Sequence, residues 1–284
     1  MNLRLCSVFY PFLLSKTHVQ LMNDEEVGAY WNRNAPAWIS LVRAGYDVYR
    51  NLLNSPAFFE LLPPVAGLQG LDIGCGEGYN TRLLARRGTH VTAVDIAPAF
   101  VEAARETEAA EPLGIHYQVG SATALPFANA QFDFATSFMC LMDVPDPPLA
   151  LREAFRVLRP GGFLQFSISH PCYTTPHRRN VRDARGQPLA VEVGGYFEYQ
   201  NGQPEEWIFG AAPASEQACH SAFQVPVFNL TMSQWVNAVV AAGFVLEAMQ
   251  EPCPTEEQMA QHPYLKKARV VAYFLHIRCR KPLL

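Results

Sequence analysis

Leu71-Asp72-Ile73-Gly74-Cys75-Gly76-Glu77-Gly78 is the stretch on which the reading of this chain turns. The apolar run Gly70-Leu71-Asp72-Ile73 reads as a short strand, and Tyr79 to Arg87 reads as a helix stopped by Gly88. Between them, glycines at alternate positions let the backbone bend sharply and approach a ligand closely. The helix that follows offers free N–H groups to an anion. His90 to Asp95 is a second strand, and Asp95 stands 23 positions after Asp72, where a carboxylate can accept from both hydroxyls of a ribose. A dinucleotide fold shares these features, so spacing discriminates. The nicotinamide fingerprint is G-x-G-x-x-G, whereas the glycines here fall at 74, 76 and 78. Asp72 also puts a carboxylate into the loop, which repels a pyrophosphate and suits an ammonium group. The pattern favours a ligand with a cationic amino-acid moiety, an adenosine and no diphosphate.

Outward from this loop the periodicity alternates. Pro98 to Ala110 reads as a helix, Ile115–Val119 and Phe132–Phe138 as strands, Pro147 to Leu158 as a helix, Pro160-Gly161-Gly162 as a turn, and Phe163 to Ser169 as a fifth strand. Repeated βα units imply a parallel sheet with helices on both faces. Asp24 to Leu62 has a helical pattern, with Ser55-Pro56 as the start of a short helix. Residues 171–227 are rich in Gly, Pro and aromatics and lack clean periodicity, as a lid or binding insert would. Thr231-Met232-Ser233-Gln234 fits a capping box opening a helix that ends at Gly243, and 244–251 and 270–279 read as the last two strands. The expected fold is therefore α/β and Rossmann-like: a seven-stranded, mostly parallel sheet with an antiparallel last strand, an N-terminal helical cap, and a lid inserted after the fifth strand. Its expected divisions are an arm (1–22), a helical cap (23–64), a cofactor-binding core (65–170), a lid (171–227) and the C-terminal part of the sheet (228–284).

Composition narrows the partners. Of 284 residues, 49% are hydrophobic and 17% charged, which fits a compact domain. The net charge is −4 and Lys/Arg runs never exceed two, so the cationic stripe that a nucleic-acid binder needs is missing. Seven scattered cysteines without a C-x-x-C pair read as reduced thiols, not as a disulfide framework or metal site. The apolar segment Leu5 to Leu14 is interrupted by Pro11 and lacks a small-x-small cleavage site, so it reads as a loose arm of a cytoplasmic protein, with Met22 as a second candidate start. No stretch is long enough to span a bilayer. Oligomeric state is not legible.

Five blocks in order resemble the motifs of class I S-adenosylmethionine-dependent methyltransferases, and more narrowly their small-molecule, ubiquinone/menaquinone-type branch. They are Leu71 to Gly78, Val94-Asp95-Ile96, Gly120 to Phe127, Gln131-Phe132-Asp133, and Arg156 to Gly162. The resemblance implies S-adenosyl-L-methionine as cofactor, S-adenosyl-L-homocysteine as product, and a small-molecule acceptor whose reacting atom (O, N, S or C) stays open. It implies that Asp72, Gly74, Cys75 and Gly76 line the methionine moiety, with Asp72 near its ammonium group and Tyr79 and Asn80 nearby. Asp95 would hold the ribose, Ile96 would lie against the adenine, and Ser121 and Ala122 would face the adenine edge. Phe138 and Met139 would lie near the sulfonium. One departure stands out: the family often carries Asp at the position of Ser121, and a hydroxyl is a weaker acceptor than a carboxylate.

The remaining candidates each have a bland alternative. His170, at the exit of the fifth strand, is the candidate general base, or else bonds backbone there. Tyr30, Trp31, Tyr196, Tyr199 and Trp207 are candidate walls of the acceptor pocket, or else core. Arg50 could bind a carboxylate or be a solvated helix residue. Asp146-Pro147-Pro148-Leu149 mimics an amino-methylating signature but reads better as a helix cap. Cys75 reads as a space-filler. Two other functions stay open, a nicotinamide-dependent oxidoreductase and a catalytically silent methyltransferase-like scaffold.

Overall fold

A computed structural model describes residues 22–198 and 201–283; the arm expected at 1–22 lies, but for Met22, outside them. Helix α1 (Asp24–Arg43) opens in a capping box, in which Asn23 Oδ1 accepts from Glu26 N and the Glu26 carboxylate accepts from Asn23 N. A π-helical stretch, Arg50–Asn54, then runs directly into α2 (Ser55–Leu61). Ser55 was expected to start that helix as its cap. It is instead already helical, and its hydroxyl donates to Asn80 Oδ1 at 2.8 Å.

The core follows as β1 (Gln69–Ile73), α3 (Tyr79–Ala85), β2 (His90–Asp95), α4 (Pro98–Ala110), β3 (His116–Val119), β4 (Phe132–Phe138), α5 (Pro147–Val157) and β5 (Leu158–Ser169). Next come β6 (His177–Arg182), β7 (Pro188–Gly194), β8 (Asn201–Trp207), α6 (Ala214–Gln217) and β9 (Phe223–Phe228). The chain closes with α7 (Met232–Ala241), β10 (Val245–Gln250), α8 (Glu256–Gln261), a 3-10 turn (Pro263–Arg269) and β11 (Phe274–Arg280). Seven strands form one sheet in the order β10-β11-β5-β4-β1-β2-β3, in which β11 alone runs against the other six.

Both faces of the central strands are covered, which is why they carry continuous apolar runs. On one face Leu164, Phe166 and Ile168 pack with Leu151 and Ala154 of α5 and Trp235 and Val239 of α7. On the other, Phe134 and Phe163 pack with Phe58 and Phe59 of α2 and Val101 and Ala104 of α4. Gly70 is required there, because a Cβ on it would overlap the Phe134 ring. Strands β1 and β4 are neighbours reached by chain running in opposite directions across the sheet, so the crevice at their carboxyl ends is the natural ligand position.

Three expectations about elements need correction. The turn at Pro160-Gly161-Gly162 lies within β5 as a bulge, since pairing with β4 jumps from Phe132↔Leu158 to Phe134↔Phe163. The segment 171–227 is not irregular: β6 pairs β7 and β8 pairs β9 as antiparallel hairpins. The first of these hairpins is mostly exposed and so carries no apolar alternation, while Pro204 faces Pro226 in the second, residues that argue against a strand in sequence. The last strand begins only at Phe274; residues 270–273 are a short connection that follows the 3-10 turn. Among the described residues no helix is long and apolar enough to cross a membrane.

Candidate functional site

A cavity of about 570 Å³ opens where β1, β2 and β4 end. Its wall includes Asp72, Gly74, Cys75, Gly76, Tyr79, Asn80, Asp95, Ile96, Ser121, Ala122, Phe138 and Met139. Gly74, Gly76 and Gly78 all have positive φ (75°, 54° and 88°), so the bend needs residues without a Cβ. A Cβ on Gly74 would overlap the Cys140 side chain, whereas one on Gly76 would meet nothing within 4 Å. The loop thus presses on β4's end at one glycine and leaves open room for a ligand at the other. Gly74 N and Cys75 N both donate to Val94 O, at 2.8 and 3.0 Å, which ties the loop to β2.

Asp95 accepts from Gly76 N and Ala97 N, both at 2.9 Å. Each oxygen keeps a further lone pair for a hydroxyl donor. Burial nevertheless pushes Asp95 up to about 6. Asp72 is fastened through both oxygens, by Thr81 Oγ1 at 2.6 Å and Thr136 Oγ1 at 2.8 Å, and burial raises it too. Its hydrogen bonds therefore tie β1 to α3 and β4, and only its charge and its remaining lone pairs are turned to a ligand. Burial, with Asp95 and Asp72 nearby, drives the Cys75 thiol far up, so this cysteine stays protonated.

Two residues that sequence reasoning did not place in the site belong to its wall. Arg50 is 8% exposed; its Nη1 lies 2.9 Å from Glu77 Oε1 and its guanidinium sits 4.2 Å above the Tyr79 ring. Of its two sequence readings, burial removes that of a solvated helix residue. Asp24, in the first turn of α1, accepts from Ser121 Oγ at 2.6 Å and from Thr123 Oγ1. A carboxylate thus stands beside position 121 after all, but it is delivered by the N-terminal helix. That helix lies close because of Gly28, where a Cβ would come 3.1 Å from Ile96 Cγ1.

Trp31 and Trp207 line the cavity, joined by Trp38 and Phe209; the Trp38 and Trp207 rings meet edge-on at 5.6 Å. Other expected wall residues are elsewhere. Tyr30 is outside the wall, with Arg33 over its ring at 4.4 Å. Tyr196 is also outside it, its hydroxyl accepting from Met232 N at 2.9 Å at the start of α7. Tyr199 lies outside the described residues.

His170 is a correction. It is 4% exposed and absent from the cavity wall. Nδ1 accepts from Cys172 N at 3.1 Å, so Nε2 carries the proton and donates to Glu251 Oε1 at 2.9 Å. With both nitrogens engaged, it braces the exit of β5 and has no lone pair to offer an acceptor. Asp146 caps α5, its Oδ1 accepting from Leu149 N at 2.8 Å.

A family profile described as a methyltransferase domain matches residues 71–166. A ubiquinone/menaquinone biosynthesis C-methyltransferase of Roseobacter denitrificans is 37% identical over 175 residues, covering 55% of this chain and 70% of that protein. The chain belongs to the class I S-adenosylmethionine-dependent methyltransferases. A malonyl-[acyl-carrier protein] O-methyltransferase of Serratia marcescens is 34% identical over 146 residues, 51% of this chain and 53% of the relative; the chain spans about half the length of such curated relatives. Among solved structures, an S-adenosylmethionine-dependent methyltransferase from Mesorhizobium loti superposes with a TM-score of 0.64 at 28% identity, covering 79% of this chain and 96% of that one. Neither a nicotinamide enzyme nor a silent scaffold is favoured by these likenesses. For a class I methyltransferase the cofactor is S-adenosylmethionine, and the open space over Gly76, walled by carboxylates, fits its cationic amino-acid end.

Proposed function

We propose that this methyltransferase moves the methyl group of S-adenosylmethionine to a small-molecule acceptor bound between the glycine loop and the β8–β9 hairpin. One observation carries the reading: a single cavity joins the loop and Asp95 to the aromatic wall of Trp38, Trp207 and Phe209. Its volume is in the range of small-ligand sites.

In this reading Asp95 takes the ribose hydroxyls and Ile96 lies against the adenine, whose amino group is met by Asp24 together with Ser121. Arg50, already oriented by Glu77, takes the carboxylate of the methionine end, and the charges of Asp72 and Glu77 favour its ammonium group. Phe138 and Met139 close the space around the sulfur. S-Adenosylmethionine supplies a methyl group on a positive sulfur, open to in-line displacement. The chain's own part is alignment and exclusion of water, worth several kcal/mol in an aligned transfer. The segment 23–64 serves as a cap over the cofactor end. Of the segment 171–227, only the second hairpin walls the cavity in quantity, while the first contributes Arg178 alone from its strands.

Titration calorimetry with S-adenosylhomocysteine and with NAD, followed by mass spectrometry of acceptors incubated with labelled S-adenosylmethionine, tests the reading. Binding of the adenosyl compound, and its loss in Asp95→Ala, is the expected result. Binding of NAD without S-adenosylhomocysteine would sink the proposal.

A further inference from the structure

Among the described residues, eight carboxyl groups line the cavity against two arginines. Five of the eight are committed at the cofactor end: Asp47 and Glu77 to Arg50, Asp72 to two threonines, Asp95 to backbone N–H groups, and Asp24 to Ser121 and Thr123. Asp143, Glu205 and Glu206 are left over on the acceptor side.

Asp143 ends the 3-10 turn Leu141–Asp143 that follows β4, and the buried Leu141 fixes that turn. It is therefore close to Met139 and Cys140, which line the same cavity. The Asp143 side chain is 9% exposed, and no hydrogen-bond or ion-pair partner meets its carboxyl group among the described residues. A buried carboxyl group without a partner is costly, and its opening onto a cavity marks a position where a ligand completes it. Glu205 stands across from it on β8, on the strand face that also carries Trp207. Trp38 lies 5.6 Å from Trp207 and 5.0 Å from Phe209, ring centre to ring centre. Aromatic walls with carboxylates among them attract cations. The one arginine on this side among the described residues, Arg178, is exposed on β6, donates to Tyr173 O at 3.2 Å and lies 4.4 Å over the Tyr173 ring.

We propose that the acceptor is a primary or secondary amine, entering as an ammonium ion held by Asp143 and Glu205 against the Trp38–Trp207–Phe209 wall, and that Asp143 removes the proton its nitrogen must lose. This rests on the methyl-transfer reading above. One N–H proton passes to the Asp143 carboxylate, and the freed lone pair forms the N–CH₃ bond. The C–S bond breaks, and its electron pair stays on sulfur as a neutral thioether. The product is the methylated ammonium ion, and Asp143 returns its proton to solvent past the more exposed Glu205. Burial and the neighbouring Glu205 charge both raise Asp143 well above the usual carboxylate range, which brings a general base nearer to working pH. An anionic acceptor would meet three carboxylates and is excluded by the same charges.

Three probes of one size decide the matter: benzylammonium, benzyl alcohol and benzoate, titrated calorimetrically into the full chain saturated with S-adenosylhomocysteine. Benzylammonium is expected to bind about tenfold or more tighter than the alcohol, with benzoate weakest. That preference is expected to vanish in Asp143→Asn and to shrink in Glu205→Gln, a near-isosteric change at a half-buried position of β8 that keeps the fold testable. With labelled S-adenosylmethionine, label on nitrogen supports the proposal. Equal or tighter binding of the alcohol or benzoate, an unchanged preference in both variants, or label on oxygen overturns it. A chain that does not take up S-adenosylhomocysteine fails the methyl-transfer reading instead, and the probes titrated into the free protein still report on Asp143 and Glu205.

Discussion

Replacing Asp24 with alanine is expected to weaken cofactor binding although the residue lies outside every motif of the glycine loop. Asp24 accepts from Ser121 Oγ at 2.6 Å and from Thr123 Oγ1 with one oxygen, leaving the other to face the cavity. A hydrogen bond to a charged group is worth about 1.5–3 kcal/mol. Asp24 is only half-buried, so the lower end applies after screening, and about 1.4 kcal/mol is about tenfold in Kd. The α1 cap does not depend on this side chain, because Asn23 and Glu26 form it, and circular dichroism of the variant should match the parent. Calorimetry with S-adenosylhomocysteine and with its 6-oxo analogue, S-inosylhomocysteine, gives the readout. The parent should prefer the amino compound, Asp24→Ala should lose that preference, and adding Ser121→Asp should restore it. An Asp24→Ala affinity within about twofold of the parent, or no recovery in the double variant, would refute the assignment.

Acidification should weaken S-adenosylhomocysteine binding as Asp95 protonates near 6, by about tenfold one unit below that value; an affinity flat between pH 7 and 5 would contradict it. The sign for stability is opposite: a carboxyl group raised on folding holds its proton more tightly in the folded chain, so protonating Asp95 does not itself unfold the protein. Gly74→Ala puts a Cβ into Cys140 at a φ of 75° and should cost about 2–5 kcal/mol in urea unfolding; an unchanged midpoint would show that the loop can shift. His170→Gln should lower stability by about 1–2 kcal/mol and leave cofactor affinity untouched, whereas lost turnover at unchanged stability would return His170 to the chemistry.

The strand–loop–helix order was legible because each core strand is short, apolar and punctuated by glycine or proline, and because Asp95 follows the glycine loop at ribose spacing. The acceptor side was not. Strand β6 is His-Arg-Arg-Asn-Val-Arg with almost every residue exposed, so no buried face writes a period of two into it. His170 is paired with Glu251, 81 residues away, and Asp24 with Ser121, 97 residues away; neither pairing leaves a local mark. Asp24 read only as the first residue of a helical stretch, and its carboxylate takes no part in the cap that Asn23 and Glu26 form. The departure at Ser121 was the available signal, since a missing carboxylate prompts a search for one elsewhere.

The π-helical stretch Arg50–Asn54 lets one continuous rod obey two phases. Each residue of an α-helix advances about 100°, and a wide turn absorbs one residue more than usual. At its first residue Arg50 swings inward to Glu77; downstream Phe58 and Phe59 still meet the sheet. Excising a single residue here would keep every apolar contact type in the sequence, yet turn either the arginine or the phenylalanines by roughly a quarter of a revolution. Length in this segment is thus a more severe constraint than side-chain identity, and homologous chains should vary in letters there before they vary in count.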